Sequence, residues 1–268
     1  MDRIGRRVRS FCFPGLLLFT LIVTAGNLLA ESILNFPRLS SEENTFTGVA
    51  IVNPSAQDAL VTFTAYGEDG ELLTGINNPV PLMVPAKSQL AQLTSEIFGS
   101  GLDPATVGWF QATSSVDDLT GFFLFLDGSL TLFDGADLPV SAVKIIFNKI
   151  RIDAGHQTEI NLINPGDDLA DLELQIIEGD SPAVVEELIL PAKGVVRLDV
   201  ATFFEITEIA PEAYLAVSSD FDIAGFEFIK TPNGDLLGLN GRSTSEQLTN
   251  LYFPQVAVLG PWETNLGL

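Results

Sequence analysis

The chain has 268 residues, 46% of them hydrophobic and 18% charged, a balance that supports an extensive core and excludes general disorder. Its net charge is -22, and such a surface repels phosphate backbones and anionic headgroups, which excludes nucleic acid as a partner. The single cysteine is Cys12, in the N-terminal segment, so the rest of the chain has no disulfide and each domain must stand on its core.

Residues 1–30 read as a secretory signal peptide. Arg3, Arg6, Arg7 and Arg9 form a basic start, FPGLLLFTLIVTA is an apolar core short for a membrane span, and small residues follow. Cleavage fits after Ala25 or after Ala30, and an uncleaved anchor is the alternative. Cys12 precedes the apolar core, so it is not a lipobox cysteine. The expected destination is extracellular, periplasmic or cell-surface, with no membrane contact after cleavage.

The rest of the chain repeats itself. TGVAIVNP at 47–54 returns as TEINLINP at 158–165, and FPRL at 36 returns as FNKI at 147, both 111 residues on. The alternation of Val61, Phe63 and Ala65 returns at Leu172, Leu174 and Ile176. VPAK at 84–87 matches LPAK at 190–193 with the offset reduced to 106. FQATSS at 110–115 matches YLAVSS at 214–219, and GFFLF from Gly121 matches GFEFI from Gly225, both at an offset of 104. Small drops in offset are what loop deletions between fixed strands produce. FPQV at 253 and TNLGL at 264 begin a third copy.

Each copy alternates as half-buried strands do. Val49, Ile51, Phe63, Ile160, Leu162 and Leu174 take the inward phase and are expected to be buried. Glu159 and Glu173 take the outward phase and are expected to tolerate substitution. Asn-Pro ends a strand, because proline cannot donate to the ladder. GEDG at 67–70 and EGDS at 178–181 read as turns, and TSEIFG at 94–99 as one helical turn. The run GFFLFL reads as a strand buried on both faces. The fold class is therefore all-β: two tandem immunoglobulin-like β-sandwich repeats, at 31–140 and 141–249, plus the first strands of an incomplete third at 250–268. A jelly roll or small barrel is the alternative.

The order FPxh, TGhxhhNP, hPAK and GWhxhTSS, clearest at Thr47–Pro54 and Trp109–Ser115, resembles tandem β-sandwich repeat domains of bacterial secreted and surface proteins. The second copy departs from it, with Glu159 for the glycine of TG and no tryptophan matching Trp109. The resemblance implies export and a sandwich. It implies no catalytic residue and no ligand.

Chemistry-bearing constellations are scarce. His156 is the only histidine, in a loop with no G-x-S-x-G nucleophile elbow in the chain. Zinc would have only carboxylates to complete its set, and no calcium string occurs, with GEDGE around Asp69 and LFDGAD around Asp134 as faint echoes. Asp117-Asp118 and Asp167-Asp168 are the obvious doublets for a carboxylate pair. They fall in expected interstrand loops. Trp109 reads as a core residue, with a sugar-stacking platform as the alternative. No catalytic, metal or cofactor residues are assigned. The expected function is a non-catalytic exported structural, adhesive or interaction module whose partner is a protein or glycan at the cell surface. The alternatives are a carbohydrate-binding module and a carboxylate glycoside hydrolase. The expected state is a monomer, or one that self-associates weakly through an edge strand.

Overall fold

The computed structural model describes residues 32–39, 44–129 and 133–244. The signal peptide and the third copy at 250–268 lie outside the described residues. In chain order the first eight strands are β1 (Ser32–Leu39), β2 (Thr45–Asn53), β3 (Ala59–Gly67), β4 (Val80–Val84), β5 (Ser88–Leu93), β6 (Gly108–Ser114), β7 (Thr120–Asp127) and β8 (Phe133–Asp137). A one-turn helix α1 (Thr94–Phe98) follows β5. Next come β9 (Ala142–Phe147), β10 (Gln157–Ile163), β11 (Ala170–Glu178), β12 (Ser181–Leu190), β13 (Val195–Asp199), the short helix α2 (Val200–Phe203), β14 (Tyr214–Lys230), β15 (Leu236–Asn240) and β16 (Arg242–Ser243). The chain is all-β and sandwich-like, and among the described residues no helix is long and apolar enough to cross a membrane.

One strand order occurs twice. The first unit stacks the sheet β1-β6-β3-β4 on the sheet β5-β2-β7-β8. In the second, β14 is long enough to serve both layers. Its first half pairs with β9 and β11, and its second half pairs with β10 and β15. The layers are then β9-β14-β11-β12 and β13-β10-β14-β15, the same order with β14 standing for both β6 and β7.

The registers place Val49 opposite Gln92 and Phe123, and Ile160 opposite Leu198 and Glu227. Phe63 lies opposite Val80 and Ala112, and Leu174 opposite Glu186 and Val217. All six inward-phase residues are buried. One sequence match needs a shift. Ala65 pairs with Phe110, and Ile176 with Leu215. Phe110 therefore corresponds to Leu215, not to Tyr214. The Ser-Ser pairs suggest the other frame, but a slip of one residue turns every side chain to the opposite face. The residue matching Trp109 is Tyr214.

The strand GFFLFL alternates after all. Phe123 and Phe125 are buried, while Phe122 is 43% exposed. Two-face burial belongs instead to β14, where every residue from Ile223 to Ile229 is buried, because the first unit covers its outer face.

The repeated Asn-Pro and Pro-Ala-Lys motifs form the same clasp in both units. The Asn53 amide donates to the carbonyls of Gln57, Val84 and Pro85, and its Oδ1 accepts from Ser55 N–H. The Asn164 amide donates to Asp168, Leu190 and Pro191, and its Oδ1 accepts from Gly166 N–H. Lys87 and Lys193, both with left-handed backbone at φ 57° and 56°, donate to the carbonyls of Pro54 and Pro165. The buried asparagine satisfies carbonyls that the turn leaves unpaired.

Candidate functional site

The structure scatters the residues that carry chemistry. His156 Nδ1 lies 2.9 Å from the Asp153 carbonyl in its own turn. Arg151 binds the exposed Asp153 carboxylate and holds its pKa below the usual range. Asp117 and Asp118 are exposed in the loop between β6 and β7, with Asp118 at φ 63°. Asp167 pairs with Lys193 at 3.1 Å, while Asp168 serves the Asn164 clasp through its backbone. Asp69 caps its own turn by accepting from Glu71 N–H. Among the described residues no three His, Cys, Asp or Glu side chains are grouped to hold a metal ion.

What the fold does bring together is the joint between the units. The seam of the first sandwich, between β1 and β8, is closed by the outer face of the sheet β13-β10-β14-β15. Phe226 and Phe228 enter the first core, with ring centroids 4.8 Å from Phe123 and 5.0 Å from Phe125 respectively. Arg38 of β1 is 4% exposed and sits between the rings of Phe125 and Phe228, 5.0 Å from each centroid. Its guanidinium binds the Glu159 carboxylate and donates to Asn161 Oδ1 at 3.3 Å. Arg197 approaches the same carboxylate at 3.7 Å. The outward phase of β10 is thus an interface, and the tolerance expected at Glu159 does not hold.

Trp109 belongs to the same joint. It is fully buried, stacks on Tyr66 at 5.3 Å, packs with Ile163, Val195 and Ala224, and donates from Nε1 to the Lys193 carbonyl at 2.7 Å. It is a core residue of the joint and offers no face to a sugar. Burial, with the Asp167 charge adding to it, raises the Tyr66 hydroxyl above its ordinary 10.0. The GEDG turn docks onto the Pro-Ala-Lys turn of the second unit. A Cβ on Gly70 would stand 1.9 Å from the Ala192 carbonyl, so only glycine fits. On the far side, Asp134 accepts from Gly238 N–H at 2.6 Å and Asp137 from the Asn240 amide at 2.7 Å.

Three features lie outside the joint. Glu227 occupies the position of Phe123 in the second unit and is 1% exposed, and its Oε2 has no hydrogen-bond partner. Burial pushes its carboxyl well above the ordinary 4.5, and the Lys149 charge pulls part of the way back. A cavity of about 210 Å³ opens at one end of the first sandwich, lined by Asn44, Phe46, Ile76, Thr94, Phe98 and Leu102 among others. The third feature is the outer face of the sheet β5-β2-β7-β8, which no other layer covers among the described residues. Sequence reasoning passed over Arg38 and Glu227, and took Glu159 for a tolerant outward position. Glu227 carried a signal, a lone carboxylate where the matching copy has a phenylalanine.

Fold and joint define a class: two antiparallel β-sandwich units fused through a buried interface. No family model matches the chain, and no curated protein does. Among solved structures it is similar to an entry described as the crystal structure of Thermotoga maritima 1070, at 16% identity and a TM-score of 0.34, over 38% of this chain and 93% of that one.

Proposed function

We propose that the protein is a non-catalytic module, exported from a bacterial cell, that acts as a rigid structural or adhesive element. The observation that carries this reading is the joint. Arg38, Glu159, Phe226 and Phe228 fix the units to each other, and the repeated motifs clasp turns. Two units locked in this way present a fixed span and fixed surfaces, which suits an element that positions contacts. Its -22 charge keeps such an element soluble. The second reading, a carbohydrate-binding module, has lost Trp109 to the joint and rests on the cavity, where Phe46 adjoins Asn44 and Thr94.

The test is a polysaccharide hydrolysis screen and a glycan array on the purified mature protein, with N-terminal sequencing of the exported fraction. No cleavage of any polymer, and a mature start after Ala25 or Ala30, are expected. Cleavage abolished by a single Asp or Glu substitution refutes the non-catalytic reading. Specific glycan binding lost in Phe46→Ala moves the assignment to the second one.

A further inference from the structure

We infer that the cavity at the end of the first sandwich is a binding site for a small neutral molecule with a single apolar ring and one hydroxyl group. Such a site is a function beyond the structural one.

The second unit shows the same end when it is filled. The registers align Gln92 and Leu93 with Leu198 and Asp199, so Thr94 corresponds to Val200 and Ser100 to Ile206. Gly99 and Glu205, one residue before Ser100 and Ile206, share a left-handed backbone at φ 87° and 54°, as the match requires. Val200 is buried and Ile206 packs on the second core. In the first unit, hydroxyl side chains stand at both positions and line a cavity of about 210 Å³.

A longer connection in the first unit supplies another wall. Between Ala65 and Val84 the offset between the copies falls from 111 to 106, so the first unit is five residues longer there. Ile76 of that stretch lines the cavity. The stretch is fastened. Asn78 Oδ1 accepts from Ala65 N–H at 3.0 Å, and its amide donates to the Ala65 and Leu73 carbonyls at 2.7 and 3.1 Å. Asn77 N–H donates to the Phe98 carbonyl at 2.8 Å. A Cβ on Gly101 would stand 2.1 Å from the Gly75 carbonyl oxygen, so these two loops meet backbone to backbone. The wall is in place before a ligand arrives, and little ordering opposes binding.

The lining selects the ligand. Leu39, Phe46, Ile76, Phe98 and Leu102 make it largely apolar, and no charged side chain lines it among the described residues. An ion would enter without a counter-charge, so the ligand is neutral. Thr94 is 5% exposed and lines the cavity, and its hydroxyl makes no hydrogen bond among the described residues. One hydroxyl on the ligand satisfies it. Asn44, Ser95 and Ser100 also line the cavity, but they are exposed and meet water. A sugar carries several hydroxyls and would turn most of them to apolar walls without partners. An apolar cavity of about 150 Å³ holds benzene, so this one has room for a ring with a short substituent. A monocyclic phenol or alcohol meets these conditions of charge, polarity and size.

Nuclear magnetic resonance titration of the purified mature protein with para-ethylphenol tests the inference. Ethylbenzene serves as the ring without a hydroxyl, and glucose as the sugar. Thr94→Val and Ser100→Ile install the side chains that the second unit carries. Neither native side chain makes a hydrogen bond among the described residues, so both variants keep the wild-type urea midpoint or exceed it. The wild type is expected to bind para-ethylphenol with a dissociation constant on the order of 0.1–1 mM, with shifts at the Thr94 and Ser100 amides. Thr94→Val should weaken para-ethylphenol about fivefold and ethylbenzene less than about twofold, the difference being one hydrogen bond. Ser100→Ile should weaken both rings at least tenfold by filling the cavity. Shifts that do not saturate with para-ethylphenol overturn the inference. So does binding that survives Ser100→Ile, which places the ligand elsewhere. A Thr94→Val effect that is absent, or the same for both rings, overturns it as well. Glucose binding at these amides overturns it in favour of a sugar site. Cleavage in the hydrolysis screen would refute the non-catalytic reading and leave the titration result standing.

Discussion

Replacing Arg38 by methionine keeps most of the stem that fills the seam and removes the guanidinium. Three interactions go with it: the ion pair to Glu159, the hydrogen bond to Asn161, and the contacts with the Phe125 and Phe228 rings. Breaking a buried pair from one side typically costs about 3–5 kcal/mol. Here the orphaned carboxylate is 31% exposed and keeps the Asn161 amide at 3.1 Å and Arg197 at 3.7 Å. Those partners move the ion-pair loss toward the low end. Each ring contact adds about 0.5–1 kcal/mol, and methionine recovers part of that by packing on the same rings. The expected loss is about 3 kcal/mol. Glu159→Gln strands a cation that is almost fully buried and should cost about 2–3 kcal/mol. The double variant should fall short of the sum by about 1–2 kcal/mol, the coupling of groups in direct contact. Urea unfolding followed by tryptophan fluorescence and far-ultraviolet circular dichroism measures all three. If Arg38→Met costs under about 0.5 kcal/mol, or if the two losses simply add, Arg38 does not hold the joint as argued.

Glu227 sets a pH dependence. Its folded pKa lies above the ordinary 4.5, so between those two values the folded chain binds more protons than the unfolded one. Stability from this group is full below the unfolded pKa and declines as pH rises toward the folded one. Urea midpoints measured from pH 4 upward should fall more steeply in the wild type than in Glu227→Gln, and parallel curves would refute the burial argument. Trp109→Phe leaves the Lys193 carbonyl without its donor and opens a void in the joint, for an expected loss of about 2–3 kcal/mol by chemical denaturation. Asn53→Ala and Asn164→Ala each unpair several buried carbonyls and should each cost about 2–4 kcal/mol. A difference between them larger than about 1.5 kcal/mol would show that the two clasps are not equivalent.

Much of the fold could be read from spacing. Inward phases at Val49, Phe63, Ile160 and Leu174 follow from alternation, because a sheet with one covered face records that cover in its own sequence. The 111-residue offset aligned the strands whose loops are of equal length. The offset of 104 failed by one position at Phe110, where matching serines outweighed the pattern of side-chain faces. The joint was hidden for a physical reason. Glu159 and Phe226 occupy the outward phase of their strand, and a single strand cannot show that another unit will cover that phase. Arg38 looked like an ordinary charge in FPRL, since its burial depends on a phenylalanine 190 positions later. The turn glycines were legible as turns, but nothing near Gly70 in the sequence indicates that it abuts Ala192.

The closing of the first core by Phe226 and Phe228 has a consequence in time. Phe226 is added to the growing chain 103 positions after Phe123, its contact across the joint. At about 5–20 residues per second, a ribosome needs roughly 5–20 s to cover that interval. Once β8 is made, the first unit has all its own strands and still lacks the side chains that seal it. The earlier-made half of the protein therefore cannot close its core until most of the later half has been made.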